Sequence, residues 1–335
     1  MTRAQSLLDA LSLPVVAAPM FLVSGPALVI AASRAGVLGT FPALNQRSTE
    51  GFRDWLDEIE ASLGTGSAPG GAAALPYGVN LIVHKTNPRV EADLRVCVEK
   101  KVPVIITSLG AVPDLVKAVH AYGGVVLHDV INMRHAAKAV EAGVDGLVLV
   151  SAGAGGHAGL NSPFAFVSEV RRMFGGIIAL AGAITSGRHV AAAIAAGADV
   201  AYMGTRFIAT TESAAPDAYK EMILASRISD IVYTPAVSGV HGNFMRQSLV
   251  RAGLDPEGPP PAMNMDKKEA KAWRDIWSAG HGVGGIDAVV PVDRLVAELA
   301  EDFAGATAQL AAWRGRMGAA VQGAGRAAEP ERIAS

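Results

Sequence analysis

The feature that most constrains this chain is a rhythm. Short apolar runs alternate with stretches of helical periodicity through the first two hundred residues. Runs over 13–18, 37–40, 77–83, 104–107, 125–128, 146–150, 177–181 and 200–203 read as buried strands. Between them, 25–35, 49–63, 88–100, 112–122, 132–142, 164–174 and 187–196 carry helical signals. In 49–63, Phe52, Leu56, Ile59 and Leu63 share one face. Asn87 and Pro88 are placed to start the helix over 88–100. Roughly eight strands alternating with these seven helices predict an α/β fold, a (β/α)8 TIM barrel. An open doubly wound sheet shares the rhythm and stays open at this point. Twice the helix-to-strand link reads Ala-Gly-x-Asp, at 142–145 and 196–199, with Gly ending each helix.

After Thr205 the rhythm breaks. Residues 214–230 look helical, 231–240 extended, and 255–261 (DPEGPPP) form a turn-rich joint. A charged helix is expected over 266–277, with Trp273 and Trp277 one turn apart. The expected organisation is therefore a barrel from 1–210 and 284–313, with a mostly helical insertion after the eighth strand. That insertion, 211–283, would act as a lid and form part of the substrate pocket. A closing helix over 292–313 would precede a flexible tail, 314–335. Residues 64–74 (GTGSAPGGAAA) read as a surface loop.

Composition narrows the function. The net charge is −2 and no basic block stands out, so nucleic acid is not an expected partner. Charged residues are 18%, below the usual roughly 25%, which suits a compact protein with room for a homodimer interface. The one cysteine, Cys97, excludes an intrachain disulfide and reads as a buried thiol. The N-terminus lacks a signal-peptide pattern, and the apolar stretch 15–32 is broken by Pro19, Gly25 and Pro26. A cytoplasmic protein without a membrane span is expected. The histidines show no metal-ligand spacing, so no metal is expected.

Chemistry points to the loop after the sixth strand, 152–159 (AGAGGHAG), where His157 is the one ionisable side chain. Its glycines tolerate positive φ and let backbone approach a ligand closely. An imidazole there can act as base, donor or cation near neutral pH. The same loop matches G-x-G-x-x-A, the dinucleotide fingerprint, but no helix starts inside it and the next strand ends without an acid. The seventh and eighth strands end in Gly182 and in Gly204-Thr205, the paired position where barrels bind phosphate. His128-Asp129 ends the fifth strand; the two face opposite ways, so one can meet a ligand while the other packs. Asn80, within the third strand, needs a partner for its amide. Pro19-Met20 closes the first strand, and Met offers a soft surface to a planar ring.

Taken in order, 17–20 (AAPM), 78–80 (GVN), 130–136 (VINMRHA), 152–159 (AGAGGHAG), 181–187 (AGAITSG) and 203–207 (MGTRF) resemble the nitronate monooxygenase family over roughly residues 10 to 300. The resemblance implies FMN at the barrel mouth with its phosphate on the loops at Gly182 and Gly204-Thr205. The cofactor contacts it implies are Ala18, Pro19, Met20, Asn80, His128, Ser151, Gly155, Gly156, Ala181, Gly182, Ala183, Met203, Gly204 and Thr205, with His157 catalytic beside the substrate. It implies oxidation of a small-molecule nitronate by molecular oxygen to a carbonyl compound and nitrite, His157 removing the α-proton of neutral nitroalkanes. The same flavin barrel serves NAD(P)H-dependent reductases of quinones or enoyl thioesters, the alternative activity. A flavin- or phosphate-binding sensor, with Trp273 and Trp277 on a partner surface, is the non-enzymatic alternative. One departure concerns charge: many family members carry Lys where this chain has His128-Asp129. A cation there would stabilise a reduced, anionic flavin, and Asp129 would not.

Overall fold

In a computed structural model, which describes residues 2–64, 75–110, 113–258 and 275–326, eight parallel strands close into a barrel. The strands are β1 (Val15–Ala17), β2 (Leu38–Pro42), β3 (Tyr77–Ile82), β4 (Val104–Ser108), β5 (Val125–Val130), β6 (Gly146–Val150), β8 (Ile177–Ala181) and β9 (Val200–Met203). β9 pairs back onto β1, Ala17 opposite Met203, so the open-sheet alternative is excluded. The intervening helices are α1 (Arg3–Asp9), α2 (Pro26–Arg34), α3 (Thr49–Leu63), α4 (Val90–Lys100), α5 (Pro113–Ala121), α6 (Met133–Glu141), α7 (Pro163–Met173) and α8 (Gly187–Ala195). Asn87 does not cap α4 directly. It closes the turn before it, its Oδ1 accepting from the Arg89 amide.

Strand alternation sorts the side chains into two shells. Outward residues such as Val15, Phe41, Val79, Ile105, Val126, Leu149 and Ile178 join the helices in the main apolar cluster. Buried Cys97 belongs to this shell, and desolvation pushes its thiol pKa up, as an inert core thiol requires. Inward residues Val16, Leu38, Val104, Ile106, Leu127, Val148, Ala179 and Val200 fill the barrel, and Leu7 of α1 closes its N-terminal end.

The repeated Ala-Gly-x-Asp link has a definite use at that end. Asp145 Oδ2 accepts from the Val126 amide at 2.8 Å, and Asp199 Oδ2 from the Ile178 amide at 2.7 Å. Each carboxylate thus ties the start of one strand to its neighbour, with His120 and Arg171 as further partners. Such ties at the N-terminal end of a barrel serve stability, whereas TIM-barrel active sites lie at the C-terminal end.

Past β9 come α9 (Thr205–Ile208), α10 (Asp217–Ala225), β10 (Ile231–Thr234), β11 (Gly242–Met245), α11 (Arg246–Arg251) and finally α12 (Val292–Arg326). α12 docks on α8 so closely that a Cβ on Gly187 would lie 1.9 Å from Leu299 O. It runs past the expected end at residue 313. A feature not foreseen is a second sheet, β10–β11–β7, in which β7 (Gly156–His157) pairs antiparallel with β11. The surface loop expected over 64–74, from residue 65 on, residues 259–274 of the expected joint and helix, and the end of the expected tail lie outside the described residues. Among the described residues no helix is long and apolar enough to cross a membrane.

Candidate active site

At the C-terminal end of the barrel the inward positions change character. One step above the apolar filling, the strands present Ala18, Thr40, Asn80, Ser108, Asp129, Val150, Ala181 and Tyr202. Four consecutive strands, β2 to β5, therefore supply polar groups to one half of the mouth. Three of these groups form a directed relay: Asn80 Nδ2 donates to Ser108 Oγ at 2.8 Å, and Ser108 Oγ donates to Asp129 Oδ2. Thr40 is separate, its hydroxyl donating to Ala17 O at 2.5 Å. Asp129 Oδ1 is buried and meets no donor. Desolvation pushes the Asp129 pKa up to about 6, and the Ser108 bond opposes that rise. Tyr202 is held neutral by burial and by the nearby Asp129 charge.

The loop after β6 folds over this end. Ser151 is buried and its amide donates to Ala181 O at 3.1 Å. Ala154, Ala158 and Ala181 cluster beneath it with Val150, Tyr202 and Tyr233. Gly182 takes φ +138° and Ala183 φ +55°; a Cβ on Gly182 would sit 2.8 Å from Ala152 O. The loops after β6 and β8 are thus in backbone contact, the Ala183 amide donating to Gly153 O at 3.3 Å. On the far side Ala18 N donates to Met203 O, and a Cβ on Gly204 would lie 3.6 Å from Met20 Sδ. Pro19, between Ala18 and Met20, follows β1 at this same end.

His157 stands on β7 above that floor. Its Nε2 and Ser238 Oγ are 2.8 Å apart. The ring stays exposed at the mouth, yet protein crowds its other sides, and that lost hydration holds its pKa below the ordinary 6.5. It is thus neutral near pH 7. β11 fixes its position: Gly242 opposes His157, and a Cβ on Gly242 would strike Gly156 O at 2.7 Å. The Tyr233 hydroxyl donates to Ala158 O at 2.9 Å and buttresses the same hairpin.

A glycine-rich segment that the sequence argument left aside completes the site. Residues 278–285 (SAGHGVGG) run between the loops: the Gly280 amide donates to Thr205 Oγ1 at 2.9 Å, and the His281 amide to Gly153 O at 2.9 Å. A Cβ on Gly280 would lie 2.5 Å from Gly153 O, one on Gly155 2.9 Å from Gly280 N, and one on Gly282 2.9 Å from Ala183 O. Its four glycines within six residues were the available signal.

Two expected cofactor residues turn elsewhere. His128 is one residue before Asp129, so alternation sends it to the outer face, where Nδ1 meets Thr107 Oγ1 at 2.7 Å and His135 of α6 is nearby. Burial pushes its pKa down to about 4. Met203 packs in the outer apolar cluster and offers only backbone to the mouth. Trp277 is buried, stacked on Tyr219 at 4.9 Å with the Arg251 guanidinium over its ring, so it does not form an exposed surface. Trp273 lies outside the described residues. Among the described residues no three His, Cys, Asp or Glu side chains form a metal-binding group.

A family model described as nitronate monooxygenase matches residues 5–302. The chain belongs to the nitronate monooxygenase family. That makes it an oxidoreductase of a flavin-dependent family. A nitronate monooxygenase of Paraburkholderia phytofirmans is 27% identical, the match covering 89% of this chain and 94% of the relative. A 5-hydroxy-7a-methyl-1-oxo-octahydro-1H-indene-4-carboxyl-CoA dehydrogenase of Mycobacterium tuberculosis is 30% identical over 71% of this chain and 64% of its own length. Among solved structures, a nitroalkane oxidase from Streptomyces ansochromogenes superposes with TM-score 0.77 at 25% identity, covering 91% of this chain and 99% of that one. FabK from Thermotoga maritima gives TM-score 0.76 at 26% identity, covering 93% and 99%.

Proposed function

We propose that this family member binds FMN across the barrel mouth and oxidises alkyl nitronates with molecular oxygen, releasing a carbonyl compound and nitrite. The observation that carries this reading is the placement of a neutral His157 at the same barrel end as the Gly182, Gly204 and Gly280 backbone. The residues present fit a flat anionic cofactor. The mouth offers side-chain-free backbone at Gly182 toward the anionic part, and a buried carboxyl oxygen, Asp129 Oδ1, lacking a donor, that would accept from an N–H of the ring. When bound, FMN supplies the electron acceptor.

The chain's own groups would divide the remaining work. Thr205 Oγ1 accepts from Gly280 and keeps its proton to donate, so with the adjoining backbone it would hold the phosphate. Met20 beside Gly204, and Ala181 and Tyr202 on the inner face, would form the apolar bed of the ring. His157 orients an anionic substrate by donating a hydrogen bond. With a neutral nitroalkane it takes the α-proton, Nε2 exchanging the Ser238 hydroxyl for the carbon acid.

A second reading, reduction of a quinone or enoyl thioester by NAD(P)H, is favoured by one feature: the inward group on β5 is a carboxyl and not a cation. The likeness to FabK supports it as well. Anaerobic mixing of the purified protein with a nitronate, and separately with NADH or NADPH, decides between them. Flavin bleaching by the nitronate alone is the expected result; rapid bleaching by a nicotinamide nucleotide overturns the oxidase reading.

A further inference from the structure

Asp129 is an expensive residue to place where it is. A structural carboxylate in a core uses both oxygens, because each unpaired buried oxygen forfeits its hydration. Asp129 uses one. Oδ2 takes the Ser108 proton, at the end of the relay from Asn80, while Oδ1 is buried without a donor. Its place on the inner face directs it to the floor of the proposed cofactor site. The groups that face it are the Ser108 hydroxyl from β4, the Asn80 amide from β3 acting through Ser108, and the Tyr202 phenol from β9. Its neighbour His128 turns to the opposite shell, toward Thr107 and His135. Among the described residues no ion pair involves Asp129. Added negative charge above the floor would therefore meet no fixed counter-ion there.

We propose that Asp129 supplies the missing compensation by taking a proton from solvent whenever electrons enter the bound flavin. The inference rests on the FMN reading above. In balance, two electrons and one proton go to the ring, and one further proton forms an O–H bond on the Asp129 carboxylate. The reductant is the substrate in turnover or an electrode mediator in the test. A residue already holding its proton up to about pH 6 is poised to do this near neutrality, since charge added close by raises its proton affinity further.

The test is the reduction potential of the flavin-loaded protein as a function of pH between 6 and 8, read together with the reduced-minus-oxidised infrared difference spectrum. The wild type is expected to take up one more proton per two electrons than Asp129→Asn. It should also develop a protonated-carboxyl band that Asp129→Asn lacks. Ser108→Ala, which removes the hydroxyl favouring the carboxylate, should extend the extra uptake to higher pH. Should Asp129→Asn fold poorly, the wild-type and Ser108→Ala arms still decide. Equal proton uptake in wild type and Asp129→Asn, or a wild type without the carboxyl band, overturns the assignment to Asp129 while leaving the flavin reading intact. A folded protein that neither carries nor binds FMN overturns both.

Discussion

An imidazole serves as a base at neutral pH only if it is unprotonated there and within reach of the carbon acid. Partial burial meets the first condition for His157; the β7–β11 pairing fixes where the residue stands, and the second is part of the proposed function. With a neutral nitroalkane, kcat/KM should fall on the acid side with a midpoint below 6.5, since a lowered pKa keeps the ring neutral further into acid. With a preformed nitronate that limb should shrink. His157→Ala should cost about 10²–10⁴ in turnover of the nitroalkane, the usual worth of a general base, while flavin absorbance is retained. His128 acts on stability instead. Its folded pKa, about 4, lies under the ordinary 6.5, so the unfolded chain binds the extra proton between those values and stability is lost as pH falls. The full window is worth about 3 kcal/mol. Asp129, raised to about 6, has the opposite sign: its contribution is complete below the ordinary carboxylate pKa and fades as pH rises toward 6. His128→Gln should therefore unmask a decline in stability with rising pH between 4 and 6, seen in urea midpoints. That the two residues face opposite ways was legible in their adjacency. Which one faces inward was not, because the parity of a strand is set by what packs on each side.

The elements that assemble the site are glycine-rich, and glycine is where sequence patterns say least. Residues 152–159 read as a loop, yet Gly156–His157 is a strand, because its partner lies 85 residues later at Gly242–Met245. The 278–285 segment belongs to the mouth for the same reason: its contacts are to Gly153, Ala183 and Thr205, all far away in the chain. Gly280→Ala tests this docking. The new Cβ would sit 2.5 Å from a carbonyl oxygen on one side and 3.1 Å from an amide nitrogen on the other, with no flexible side chain to give way. A loss of about 1–3 kcal/mol is expected, as for overpacking in general. Flavin content after purification should drop with it. Thermal melts and absorbance at a fixed protein concentration check both.

At the scale of the molecule, FMN bound at the proposed site, against several strand ends and the 278–285 segment, should stabilise the whole barrel. At one hundred times its Kd, added FMN should contribute about 2.7 kcal/mol by mass action. The melting temperature of stripped protein should then rise with FMN concentration; an unchanged value would remove the basis for the proposed site. The sequence by itself determined an alternating α/β fold of eight strands, because apolar strand runs and helical faces are local patterns; closure into a barrel rests on the β9–β1 pairing. It also showed the glycine-lined strand ends and the imidazole among them, since residue types are read directly from the chain. Only the tertiary structure decided that Asp129 and not His128 faces the mouth, that His157 rides on a strand, and that Gly280 seals the loops. Those choices depend on pairings and packing between residues far apart in the chain, and no local pattern carries that information.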